Sequence, residues 1–378
     1  MKLIALKDVC KINMGQSPNS SSYNDYGDGM PFFQGNADFG ERYPITRVWC
    51  NTPTKIAQAE DILISVRAPI GALNYAKEEC CIGRGLAAIT PDRNKVSQDF
   101  IYWALKGKKA ELNDKGNGST FKAISRKILE ETMIPDINFE QQHKCAENLE
   151  KIYGIIQNRR KELLAVDDLI KARFVEMFGD PVSNPKGWDM VELGELTGIG
   201  SSKRIFEKEY VSEGIPFYRT KEIVELSKGN SISTELYITE ERFAEIKEQY
   251  GVPKAGDLLI SAVGTIGIIW IVDGKNDFYF KDGNLIRVDS SDKFDSVYMK
   301  NLLENLIVEY KKQMSSGTAY AALTISGLTK MKVYDVPMEL QNQFADFVRQ
   351  VDKSKVAVQK ALDETQTLFD SLMQEYFG

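Results

Sequence analysis

The chain has 378 residues, 43% hydrophobic and 27% charged, with a net charge of −6. That length and balance fit a globular protein with two domains of ordinary size, each with its own core. No apolar run approaches the length of a membrane span, and the start is charged too early for a signal peptide. The five cysteines, Cys10, Cys50, Cys80, Cys81 and Cys145, are odd in number and form no Cys-x-x-Cys. They read as reduced thiols in a cytoplasm, without a disulfide framework, metal site or cofactor.

Residues 1–138 read as a mixed block of short strands and loops, net +2 in charge. Gly15–Ser22 is a polar loop that holds Gln16. Asp61–Val66 and Gly85–Ile89 are strand-like. Ser65-Val66-Arg67 and Gly83-Arg84-Gly85 place Arg67 and Arg84 beside small residues. The stretch from Lys115 to Lys127 mixes glycines, hydroxyls, an aromatic and basic residues, and it holds Lys115, Ser119, Thr120, Lys122 and Arg126. Glycine lets backbone amides approach phosphate, hydroxyls and Lys/Arg contact it, and Gln, Asn and Arg can read base edges. The same stretch would also serve as a surface loop ahead of a strand.

Residues 139–178 are electrically neutral and contain no proline. Ala146, Leu149, Tyr153, Ile156, Leu163, Ile170, Phe174 and Met177 recur in steps of three and four, with Arg160 and Asp167 in the same seam. Forty residues predict a helix roughly 60 Å long, and a period near 3.5 predicts a coiled-coil partner. Gly179-Asp180-Pro181 gives the stop.

A second mixed block spans 179–336, net −5. Lys203, Arg204, Arg219 and Lys221 are its candidate contacts, with Lys311, Thr318 and Tyr320 in the counterpart of the Lys115 loop. Any of the arginines could equally be a salt-bridged surface residue. Residues 337–378, net −3, predict a second long helix with a seam of Phe347, Val351, Ser354, Val358, Ala361, Thr365, Leu368 and Leu372.

The chain repeats itself. Phe174-Val175-Glu176-Met177-Phe178-Gly179 answers Met373-Gln374-Glu375-Tyr376-Phe377-Gly378, so that Glu176 and Glu375 lie 199 positions apart. Asp61-Ile62-Leu63-Ile64-Ser65 with Ile70-Gly71 answers Asp257-Leu258-Leu259-Ile260-Ser261 with Ile266-Gly267. Gly29-Met30-Pro31-Phe32-Phe33 answers Gly214-Ile215-Pro216-Phe217-Tyr218. A period near 200 is too long for a solenoid and implies two copies of a domain plus a helix. The copies predict antiparallel helices about a pseudo-two-fold axis, a symmetry shared with the duplex DNA backbone.

Catalysis finds little support. His143 lies on the edge of the first helix as an ordinary helix residue. There is no Gly-x-Gly-x-x-Gly, P-loop or Asn-Pro-Pro-Tyr, and Glu245 with Lys247 reads as a solvated helix face rather than half of a nuclease site. The acidic balance requires a DNA reader to concentrate its positive charge locally or to borrow it from a partner.

The order of these motifs, repeated twice over the whole chain, resembles the specificity subunits of Type I restriction-modification systems. It rests on Asp61–Gly71 and Asp257–Gly267, the loops ending Ile124-Ser125 and Ile325-Ser326, and the helix entries Ile134-Pro135 to Gln142 and Val336-Pro337 to Gln343. Its most specific piece is Met177-Phe178-Gly179-Asp180-Pro181 with Asn184-Pro185-Lys186-Gly187-Trp188. The resemblance implies an α+β fold: two mixed target-recognition domains, 1–138 and 179–336, joined by two long antiparallel coiled-coil helices. It implies a non-catalytic subunit that binds double-stranded DNA, two methyltransferase subunits and restriction or translocase subunits, without a membrane. The helices would set the gap between two unlike half-sites, and the partners would perform adenine methylation and cleavage. A stand-alone nuclease and a coiled-coil adaptor without a DNA role are the competing readings.

Overall fold

The computed structural model describes residues 2–116, 122–315 and 322–378. They form two compact units, Met1–Lys161 with Gln359–Gly378, and Glu162–Val358. The long helices span Phe139–Phe178 and Met338–Phe377, forty residues each, and the boundary between the units falls within both.

In the first unit a four-stranded antiparallel sheet runs in the order Cys10–Met14, Leu86–Pro91, Ile62–Ser65, Leu73–Tyr75. The second unit repeats it with Ile199–Gly200, Leu285–Val288, Leu258–Ser261 and Ile269–Ile271. The inner strand explains its own apolar run. Ile62 and Ile64 point into one hydrophobic cluster and Leu63 into another, and all three are fully buried. Leu258 and Ile260 divide from Leu259 in the same way. A strand covered on both faces alternates between two cores, so every position must be apolar.

The polar ends of the repeated motif are structural. Ser65 Oγ donates to Pro69 O at 2.7 Å and accepts from Ala72 N at 2.8 Å, closing the loop to the next strand. Ser261 Oγ donates to Thr265 O and accepts from Ile268 N at 2.9 Å. Gly71 and Gly267 follow with φ of +84° and +85°, where a side chain would strain the backbone.

Each long helix is anchored where it starts. Gln142, almost fully buried, accepts from Ser97 N at 2.7 Å and donates to Ile137 O at 2.8 Å. Gln341 accepts from Asp295 N at 3.0 Å and donates to Val336 O at 2.8 Å. The structural counterpart of Gln142 is therefore Gln341, not Gln343, which is exposed.

The far end of each helix closes a core that the other repeat builds. Phe174 and Phe178 pack in the second unit against Tyr298 and Phe344, with the Phe178 and Tyr298 rings 4.9 Å apart. Phe377 packs in the first unit against Phe100 at 5.6 Å. The Phe-Gly repeat marks these two plugs. After Phe178 the chain is tied down: Trp188 Nε1 donates to Phe178 O at 2.9 Å and Lys186 Nζ to Met177 O at 3.0 Å, on the exposed carbonyls of the helix end.

Within each unit the helix segments run antiparallel. Asn148 meets Tyr376 and Arg160 meets Gln366 in the first; Asp167 meets Lys355 and Phe174 meets Phe344 in the second. The seam of the second helix differs from the one expected. Leu368 is 52% exposed, and Phe369, at 7%, packs edge-on to Trp103 at 5.7 Å. Ser354 is exposed, and Lys355 turns inward to bind Asp167 at 2.6 Å. The aromatic ring and the ion pair set the rotation of this helix over the smaller seam candidates beside them.

Phe377→Ala removes a 3% exposed ring from the first core. The expected cost is about 3–5 kcal/mol in urea unfolding of that unit. A loss below about 1 kcal/mol would show that the plug contributes nothing to that core.

Candidate nucleic-acid interface

In the first unit Met30–Phe33 and Cys80–Ile82 lie side by side and parallel. Their C-terminal ends feed two loops, Gln34–Asp38 and Gly83–Gly85. A third loop leaves Ser65 through Arg67. The three converge on an open cavity of about 430 Å³ whose lining includes Gln34, Asn36, Asp38, Arg67 and Arg84. Close approach requires glycine here: a Cβ at Gly85 would stand 2.3 Å from Gln34 O.

Arg67 and Arg84 are both exposed, and neither side chain has a hydrogen-bond or ion-pair partner among the described residues. Gln16 and Lys122 flank them. Gln16 N donates to Ile82 O at 2.9 Å, and Lys122 O accepts from Ala68 N at 3.1 Å. The structure therefore gathers Gln16, Arg67, Arg84 and Lys122 on one loop face. Lys115 and Arg126 are spent within their own segments, on Glu111 at 2.6 Å and Glu130 at 2.7 Å. Ser119, Thr120, Thr318 and Tyr320 lie outside the described residues.

The second unit builds the same frame. Ile215–Tyr218 pairs parallel with Tyr279–Phe280, and their ends feed Arg219–Thr220 and Lys281–Asn284. Here the cations are engaged. Arg204 Nε binds Asp282 at 2.7 Å. Arg219 binds Glu222 at 3.1 Å, and Lys221 approaches the same carboxylate at 3.5 Å. Lys203 stands over the exposed Tyr250 ring at 5.1 Å, and Lys311 Nζ donates to Ile266 O at 3.0 Å. Arg219 Nε and the hydroxyls of Ser202 and Thr220 are buried without a hydrogen-bond partner.

Gln34, Asn36 and Asp38 were absent from the residues expected to meet nucleic acid. Their signal was available: they directly follow the repeated Pro-Phe-Phe strand, where the second block carries Arg219 and Thr220. Glu245 binds Arg242 at 2.6 Å on its own helix and Lys247 lies near the Phe243 ring, so this pair faces no site. Among the described residues no group of three or more His, Cys, Asp or Glu could hold a metal, and no helix is long and apolar enough to cross a membrane.

The family model for the Type I restriction modification DNA specificity domain matches residues 1–165 and again 185–365. The chain belongs to this family. Such subunits are specificity components, and this one is a recognition subunit rather than an enzyme. It is similar to the Type I restriction enzyme MjaIX specificity subunit of Methanocaldococcus jannaschii, 25% identical over 97% of this chain and 90% of that one. The similarity to the MjaX specificity subunit of the same organism is 47% over 152 residues, 40% of this chain and 36% of that one. The fold is that of the S subunit crystal structure from M. genitalium, with a TM-score of 0.62, 17% identity and coverage of 100% and 96%.

Glu222→Ala in this specificity subunit leaves two cations without their buried carboxylate, which is 1% exposed. Unfolding of the second unit in urea should lose about 3–5 kcal/mol. Arg204→Ala removes a partner that is 67% exposed and should cost under about 1 kcal/mol. Equal losses from the two variants would refute the distinction between a buried brace and a surface pair.

Proposed function

We propose that this subunit reads an asymmetric, bipartite DNA target, one half with each unit, and directs adenine methylation and restriction by partner subunits. The observation that carries the reading is one frame with two chemistries. The parallel strand pair, the Ser-anchored loop and the buried glutamine occur in both units. The loops they present differ: unpaired Arg67 and Arg84 in the first, and Arg204 and Arg219 held by acids in the second. Equal frames serve equivalent placement on a duplex, and unequal loops make the half-sites unlike.

Two forty-residue helices, each roughly 60 Å long at 1.5 Å per residue, are suited to fix the gap between the half-sites. Two modification subunits supply methyl transfer and flip the target adenine, and restriction subunits supply translocation and cleavage. Positive charge missing from the acidic chain comes from these partners.

The chain co-expressed with the modification subunit encoded beside it should give, by single-molecule sequencing of the genome, one methylated motif of two unlike parts with a fixed gap. That motif should vanish on deletion of the chain. A palindromic motif, or a methylome indifferent to the deletion, contradicts the proposal.

Lys122→Ala in the assembled complex should weaken binding about equally across DNA sequences. The slope of log K against log salt should flatten by about one unit for each phosphate that is no longer neutralised. Unchanged affinity and slope favour the adaptor reading.

A further inference from the structure

The cavity at the loop face of the first unit is more specific than a basic patch. Its two guanidinium groups stand free, and an acid stands with them. Asp38 Oδ2 accepts from the backbone N–H of Gln34 at 2.8 Å and of Gly35 at 3.3 Å, which fixes the carboxylate in the loop. Asp38 Oδ1 has no hydrogen-bond donor among the described residues.

In the major groove a G·C pair shows two acceptors on guanine, O6 and N7, and one donor on cytosine, N4. Arginine matches the first pair of atoms with a planar fork, and an aspartate oxygen matches the third. A phosphate fits this cavity less well, because the fixed carboxylate repels it. The exposed Lys122 and Gln16 at the rim are better placed for backbone contact. An A·T pair carries its donor, adenine N6, between its two acceptors, adenine N7 and thymine O4, so the arginine fork finds no two adjacent acceptors there.

Resting on the DNA-recognition reading above, we infer that this cavity reads a G·C pair in the half-site of the first unit. Arg67 or Arg84 grips the guanine edge and Asp38 Oδ1 accepts from the cytosine amino group. The second unit lacks the device. Val263 stands where Ser65-Val66 leads to Arg67, and the loop that carries Arg84 carries Asp282 and Gly283 in its place. The G·C requirement of this cavity is therefore confined to one half of the target.

The test uses the full chain assembled with its modification subunit, and duplexes in which each target position is replaced in turn. The unaltered complex should show at least one G·C pair in one half-site whose replacement weakens binding about tenfold or more. Arg67→Lys and Arg84→Lys keep the charge and remove the fork, and no internal partner is broken by either. At least one of them should abolish that preference while the other half-site is read as before, with the thermal stability of the subunit unchanged. Slight, uniform weakening of all sequences at an unchanged salt slope would make both arginines phosphate contacts and overturn the inference. Full retention of the preference in both variants, or a first half-site without a G·C requirement, would overturn it as well. A complex that shows no sequence preference at all would instead refute the DNA-recognition reading.

Discussion

The fold depends on an exchange of helix ends. Each repeat starts a long helix in its own unit, held by a buried glutamine, and the helix finishes as an aromatic plug in a core that the other repeat builds. Neither unit is complete from its own repeat: Phe174 and Phe178 belong to the second core, Phe369 and Phe377 to the first. Burying two or more aromatic rings per unit contributes several kcal/mol, of the order of a domain's whole stability. The helices are thus part of the folding of each unit rather than linkers added to it. A helix that ends as core cannot be trimmed at that end without removing the rings that close the unit.

This dependence explains which parts of the chain repeat. The matched residues are those that hold the frame: the inner strand buried on both faces, the serine and glycine that close its loop, the glutamine clamps and the Phe-Gly plugs. The loops that follow the parallel strands touch this frame through backbone, Gly85 O accepting from Val66 N at 2.9 Å and Asn284 O from Ala262 N at 2.8 Å, and not through the side chains of Gln34, Asn36, Asp38 or Arg84. Loop sequence is therefore free to differ, and Gln34-Gly35-Asn36 in one copy corresponds to Arg219-Thr220-Lys221 in the other.

The contrast between frame and loops also decides what could be read from sequence. The long helices were legible because Gly179-Asp180-Pro181 and a period of three and four mark their extent. The inner strands were legible because two buried faces demand unbroken Ile and Leu. The rotation of the second helix was not. Leu368 and Phe369 are adjacent and both apolar, and the choice between them depends on the space beside Trp103 and Tyr153, residues far away in sequence. The same limit applied to the interface. Arg67 and Arg204 look alike as residues in short loops, and only the fold shows that Asp282 occupies one and leaves the other free. Asp38 carried a positional signal behind the Pro-Phe-Phe strand, but its chemistry shows only where the fold brings two arginines from distant loops to the same cavity.

The distribution of paired and unpaired cations bears on how such a subunit can be selective. Non-specific DNA affinity grows with the number of phosphates that free Lys and Arg neutralise. This chain is net acidic, and Lys115, Arg126, Arg204, Arg219 and Lys221 near its loop faces are already engaged by Glu or Asp. Each cation so engaged is one fewer to neutralise a phosphate. Arg67 and Arg84, without a partner among the described residues, line an open cavity instead. Low background binding with a small number of directed contacts raises the ratio of specific to non-specific affinity, the quantity that matters among a genome's competing sites.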